Sequence, residues 1–108
     1  MSLLIAALLA AGPIPAASRA RYDNCIERAI QTGAASRMAT PEVVGQAMAS
    51  CSGLFDAAAQ EMVQDAAAVG SLPSGLSPEE KEKLGKRELT SWTQYMSVRR
   101  VAALRTKK

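Results

Sequence analysis

Residues 22–51 read YDNCIERAIQTGAASRMATPEVVGQAMASC, and this stretch decides the fold. It holds the two cysteines of the chain, Cys25 and Cys51. Gly33 is a typical helix stop, and Pro41 suits the first turn of a following helix. Cys25 lies eight residues before Gly33, and Cys51 lies ten residues after Pro41. At a rise of about 1.5 Å per residue, the two sulfurs reach similar heights in an antiparallel hairpin, so we predict a disulfide between them.

The first predicted helix runs from about Ser18 to Thr32. Its apolar residues recur at i, i+3, i+4, i+7 and i+8, which is typical of one buried helix face. The residues of this stripe are Tyr22, Cys25, Ile26, Ala29 and Ile30.

The second predicted helix starts with Thr40 as N-cap and Pro41 in the first turn. Its apolar stripe comprises Val44, Ala47, Met48, Cys51, Phe55, Ala58 and Met62. The stripe keeps its phase across Gly53, so we expect one long, bent helix to about Val69. Two helices divided at Gly53 are the alternative, because glycine is a poor helix former.

A third helix follows the loop at 70–76. Ser77 and Glu80 match a capping box, with Pro78 at the first helical position. The expected stripe of this helix is Leu89, Trp92 and Met96, flanked by Tyr95. The predicted fold class is therefore all-α: a small three-helix domain built on a long antiparallel helical hairpin. One disulfide links its first helix to its second.

The chain begins with an apolar run, LLIAALLAA, at Leu3–Ala11. A membrane span needs about 20 apolar residues, so this run is too short to remain as an anchor. It has the layout of an export signal, although no basic residue precedes it. We predict a signal peptide at 1–18, cut somewhere in 16–20, with Ser18 favoured and Ala16 or Ala20 as alternatives. A retained N-terminal helix is the other interpretation.

Export would place the domain at 19–108 in the periplasm or outside the cell, where cysteine pairs persist. Aromatic residues make up only 4% of the chain, so the core has few large side chains. The only tryptophan, Trp92, is therefore expected to lie in the core with Tyr95. A partner-binding patch at these two residues is the alternative, since aromatic side chains are common at interface hot spots.

The net charge of +3 is unevenly distributed, because residues 99–108 carry five cations and no acid. Such a tail complements the negative end of a helix dipole. It could also contact an anionic membrane surface, and the residues for that role are Arg99, Arg100, Arg105, Lys107 and Lys108. Nucleic acid is not predicted as a partner, because no aromatic residues interleave the tail to stack on bases.

Catalysis is not predicted, because the chain has no histidine and so lacks an imidazole base. Glu61 and Asp65, spaced i and i+4, are interpreted as a solvated acidic face rather than as an acid–base pair or half of a cation site. We predict no metal and no cofactor.

These observations predict a non-enzymatic binding or inhibitory module whose partner is another envelope or secreted protein. In size and in having one cysteine pair, the chain is similar to small periplasmic acid-stress chaperones. Their cysteines lie further apart, so no residue role carries over. A stress chaperone, or an envelope structural protein that binds anionic surfaces through the basic tail, is the alternative function.

Overall fold

The computed structural model describes residues 17–106, and the predicted signal run lies outside them. This part of the chain is helical, in agreement with the predicted fold class. Its elements are α1 (Ala17–Ala34), α2 (Thr40–Ser50), a short 3₁₀ helix (Ser52–Leu54), α3 (Phe55–Ala68) and α4 (Pro78–Thr106).

The predicted stripe of α1 faces the core. Tyr22 and Ile30 are each 1% exposed, and Ile26 is also buried. The Tyr22 ring packs edge-on against Phe55, with 5.8 Å between the ring centroids. Burial raises the pKa of the Tyr22 hydroxyl, while the neighbouring Thr93 side chain on α4 acts in the opposite direction.

The prediction of one continuous second helix is wrong, and the divided alternative is confirmed. The chain leaves helical geometry at Cys51 and passes through the 3₁₀ turn before α3 begins. Ser50, Ser52 and Gly53 are all weaker helix formers than alanine, so the break falls where helix propensity is lowest. Thr40 is also not the N-cap: the cap is Ala39, which supplies no side-chain hydrogen bond.

The predicted disulfide is confirmed. It joins Cys25, in the middle of α1, to Cys51, directly after α2, and the two Cα atoms lie 5.9 Å apart. Cys51 is only 1% exposed. The bond therefore fixes the broken segment between α2 and α3 against the centre of α1.

The helix α4 is the longest element, with 29 residues, and it contacts α1, α2 and α3. It runs parallel to α1, because contacts later in α4 meet residues later in α1: Arg100 pairs with Glu27, and Arg105 donates a hydrogen bond to Ala34. It runs antiparallel to α3, with Lys86 beside Asp56. In the described part of the chain, α2 and α3 do not contact each other. The result is a three-helix arrangement in which the middle helix is broken.

The helices α3 and α4 approach closely at Gly85. A Cβ atom at this position would lie 2.6 Å from Cγ2 of Val63 and 2.9 Å from the carbonyl oxygen of Ala59. Any larger residue would push the two helices apart, because one of these neighbours is rigid backbone. Gly85 therefore sets the distance between α3 and α4.

Arg105 closes the connection between α1 and α2. Its Nε donates to the Ala34 carbonyl at 3.2 Å, and its Nη2 donates to the Met38 carbonyl. Its Nη1 lies 3.4 Å from Oγ1 of Thr40. The last carbonyls of a helix lack intrahelical partners, so the guanidinium of Arg105 serves as a C-terminal cap for α1.

Candidate binding surface

Four neighbouring side chains on the outer side of α4 form an exposed surface that we call the aromatic face: Trp92, Tyr95, Met96 and Arg99. Trp92 is 47% exposed and Tyr95 is 54% exposed. Their ring centroids lie 6.3 Å apart with a tilt of 37°. Met96, one helical turn from Trp92, is also exposed. Two of the four aromatic residues in the chain thus lie on one turn of one helix.

The expectation that Trp92 lies in the core is wrong. The buried positions of α4 recur at every fourth residue: Gly85, Leu89, Thr93, Ser97 and Val101. Most of these side chains are small, which lets α4 lie close to its neighbours. Trp92 and Met96 each precede one of these positions by one residue, so the helix turns them outward.

Arg99 is held against the aromatic face. Its Nη1 donates a 2.6 Å hydrogen bond to the Tyr95 hydroxyl. Its guanidinium carbon lies 5.4 Å from the centre of the same ring, within the range of a cation–π contact. These two interactions orient the Arg99 side chain, so the surface offers one cation beside two rings.

A groove of about 220 Å³ between α1 and α4 adjoins the aromatic face. Trp92 and Met96 form part of its α4 wall, and Ile26 and Ile30 contribute to its α1 wall. Pockets for drug-sized ligands usually measure about 300–1,000 Å³, so this groove fits one or two inserted side chains rather than a cofactor.

The ion pair between Glu27 and Arg100 also lines this groove. The Nε of Arg100 lies 3.1 Å from Oε1 and 2.9 Å from Oε2 of Glu27. Because it bridges α1 and α4, the pair holds the two walls of the groove together.

The wider depression of about 570 Å³ on the other side of α1 is a weaker candidate. Its polar lining includes Arg21, Asn24 and Arg28, all of which are exposed. Ligand sites place a few polar groups within a desolvated surface, and this depression lacks that arrangement.

The structure does not gather the predicted basic tail into one free cationic surface. Arg99 stacks on Tyr95, Arg100 pairs with Glu27, and Arg105 caps α1. Lys107 and Lys108 lie outside the described residues. The arginines of the tail are therefore engaged in contacts within the protein.

The interpretation of Glu61 as part of a solvated acidic face is wrong, although Asp65 is exposed as expected. Glu61 is 6% exposed, and its Oε1 accepts a 2.5 Å hydrogen bond from the main-chain N–H of Arg19. The carboxylate therefore caps the first turn of α1. No local sequence signal predicts this contact, because it joins two helices 42 residues apart.

Across residues 17–106, no cluster of three or more histidine, cysteine, aspartate or glutamate side chains could hold a metal ion. None of the helices described is both long enough and apolar enough to cross a membrane. No protein-family model matches the chain, and comparisons with curated proteins and with solved structures found no match.

Proposed function

We propose that this chain is an exported, disulfide-stabilised module that binds another envelope or secreted protein through the aromatic face. The observation that carries the proposal is the exposure of Trp92 and Tyr95 in a chain so poor in aromatic residues. Tryptophan, tyrosine and arginine are the residue types most enriched among interface hot spots, and the aromatic face contains all three.

Two features support export. The run at Leu3–Ala11 has the length and composition of a signal sequence. The bond between Cys25 and Cys51 is of the kind that persists in oxidising compartments and is rare in the cytosol. The two features are independent, because one is a sequence pattern and the other is a contact between two helices.

The chemistry of the remaining side chains favours binding over catalysis. The chain has no histidine. Two of its carboxylates, Glu61 and Glu80, receive main-chain hydrogen bonds at helix starts. Their role in the fold is thus accounted for without a substrate.

The aromatic face is also shaped for a protein partner. Its rings stand beside the open groove between α1 and α4, into which a side chain of a partner could insert. Arg99 is already oriented by Tyr95, so little side-chain entropy is lost when a carboxylate of the partner pairs with it.

The test is affinity capture from envelope extracts with the tagged mature protein, compared with a Trp92→Ala/Tyr95→Ala variant. Val69→Ala, directly after α3, is the control, because Val69 is an apolar side chain that is 77% exposed and lies outside the aromatic face. Hot-spot truncations cost about 2 kcal/mol or more, so we expect the affinity for one stoichiometric partner to fall at least about 30-fold in the double variant, with correspondingly less captured.

Equal capture by the double variant and the wild type would refute the aromatic face as the binding surface. Two further assays address the alternative functions. Salt-sensitive binding to vesicles rich in anionic lipid would favour a role of the basic tail at membranes. Suppression of aggregation of unrelated clients under acid or heat would favour a chaperone.

A further inference from the structure

Glu61 is the only charged residue buried among those that the structure describes. The other buried polar residues, Ser18, Thr93 and Ser97, are neutral. Burying an ionised carboxylate is costly unless it gains hydrogen bonds and a countercharge. Glu61 forms no ion pair with any side chain of residues 17–106. The one hydrogen bond it accepts there comes from the neutral main-chain N–H of Arg19.

The nitrogen that Glu61 contacts lies at the bond where export processing is favoured. The residues at the −3 and −1 positions of the Ser18–Arg19 bond are Ala16 and Ser18, both small, as an export protease requires. Cleavage at this bond turns the nitrogen of Arg19 from an amide into a terminal amine.

We propose that the Ser18–Arg19 bond is cut on export and that the new α-ammonium group of Arg19 forms an ion pair with Glu61. An export protease adds water across the bond, so Ser18 leaves with a carboxylate and Arg19 keeps a protonated amine. The inference rests on the proposed export of the chain, and not on the aromatic face.

The geometry requires no rearrangement of Glu61. The Arg19 nitrogen already lies 2.5 Å from Oε1, and the cut leaves it in place with two more protons. A single neutral donor is replaced by a full positive charge, which is the countercharge that the buried carboxylate lacks. The cut removes Ser18, whose small side chain forms no hydrogen bond within the described chain.

The two neighbouring cleavage bonds do not give this result. A cut after Ala16 places the new ammonium group on Ala17, an exposed residue, and leaves the Arg19 nitrogen as an amide. A cut after Ala20 removes Arg19 and with it the hydrogen-bond donor of Glu61. Only the cut after Ser18 supplies the buried carboxylate with a cation.

The experiment uses the full chain, expressed in a bacterial host and recovered from the periplasm. Intact mass and the sequence of the N-terminal peptide identify the cleaved bond. The folded mature protein is then treated with an amine-acylating reagent at neutral pH, and the labelling rate of the Arg19 α-amine is followed by peptide mapping. The same protein unfolded in urea gives the reference rate.

We expect the mature chain to begin at Arg19 and its α-amine to react at least ten times more slowly in the folded than in the unfolded protein. Glu61→Gln should abolish this protection. Asp65→Asn, at an exposed acid one turn further along α3, should leave it intact. The wild-type ratio of folded to unfolded rates decides the question even if Glu61→Gln does not fold.

A mature chain that begins at Ala17 or Arg21 would overturn the inference while leaving export intact. An Arg19 amine that reacts equally fast in the folded and unfolded protein would also overturn it. Recovery of the uncut chain would overturn both the inference and the proposed export. The capture experiment on the aromatic face is independent of all three results.

Discussion

The guanidinium of Arg105 donates a hydrogen bond to the main-chain carbonyl of Met38, 67 residues earlier in the sequence. The same group reaches Ala34 and Thr40, so one side chain near the end of α4 holds the connection between α1 and α2. A residue that the sequence assigns to a basic tail is thus part of the folded domain.

Replacing Arg105 with lysine should destabilise the domain although the charge is kept. A lysine ammonium group cannot reach several carbonyls at once as the planar guanidinium does. We expect a loss of about 2 kcal/mol, the scale of charge-assisted hydrogen bonds, measured by urea denaturation. Arg99→Lys is the control, since Arg99 is exposed and its contacts lie within α4. Equal losses in both variants would contradict this role of Arg105.

Gly85→Ala should destabilise the domain by separating α3 from α4. Overpacking of this kind costs about 1–3 kcal/mol, partly offset by the better helix propensity of alanine. Gly53→Ala is the matched control, because a Cβ at Gly53 meets nothing within 4 Å. We expect the thermal midpoint to fall for Gly85→Ala and to hold or rise for Gly53→Ala. A rise for both would show that the close contact is easily relieved.

Removing the disulfide should lower stability without abolishing helix formation. The bond closes a loop between residues 26 positions apart, for which the loop-entropy estimate gives roughly 3 to 4 kcal/mol. The double variant Cys25→Ala/Cys51→Ala should therefore unfold at lower urea concentration while keeping its helical circular dichroism under native conditions. Wild-type protein under reducing conditions should behave similarly. An unchanged midpoint in both would mean that packing alone holds α1 against the broken segment.

The start of α4 should show a pH effect at Glu80. The predicted capping box is present: Ser77 N donates to Glu80 at 2.9 Å, and Glu80 N donates to Ser77 Oγ at 3.1 Å. The main-chain hydrogen bond from Ser77, followed by its hydroxyl, lowers the pKa of Glu80. A lowered folded-state pKa stabilises the protein above the ordinary glutamate value, and this contribution is lost as the pH falls through the folded-state pKa.

Titration of the Glu80 carboxyl group by NMR checks this effect. Ser77→Ala should raise the pKa of Glu80 toward its ordinary value, because the substitution removes the hydroxyl and loosens the first turn. Ser74→Ala in the preceding loop should leave it unchanged. If Ser77→Ala has no effect on the titration, the main-chain hydrogen bond alone accounts for the shift.

The sequence predicted the parts of the fold that depend on local periodicity and turn chemistry. The stripe of α1, the capping box of α4 and the cysteine pair all follow from residue spacing, and all are present. The sequence offers a division at Gly53 only as an alternative, because the apolar phase continues across Gly53, and it does not place the break at Cys51. Periodicity cannot distinguish a bent helix from two helices in the same phase.

The aromatic face was harder to predict, because residue size is a poor guide to burial in a closely packed helix. The inward positions of α4 are occupied by small residues such as Gly85 and Ser97, whereas Trp92 points outward. Contacts between distant residues, such as Glu61 with Arg19 and Arg105 with Met38, have no local signature at all. They depend on how α1 meets α3 and α4, which becomes visible only in three dimensions.

Because α2 and α3 do not contact each other, the domain should contain two units that open with different free energies. The disulfide, the Arg105 cap and most of the largest buried side chains lie around α1, α2 and the second half of α4. Among those large side chains, Tyr22 contacts α3 at its first residue, Phe55. Native-state hydrogen exchange should therefore show α3 and the first turns of α4 opening as a separate unit. This unit should open at lower free energy than the one formed by α1, α2 and the second half of α4.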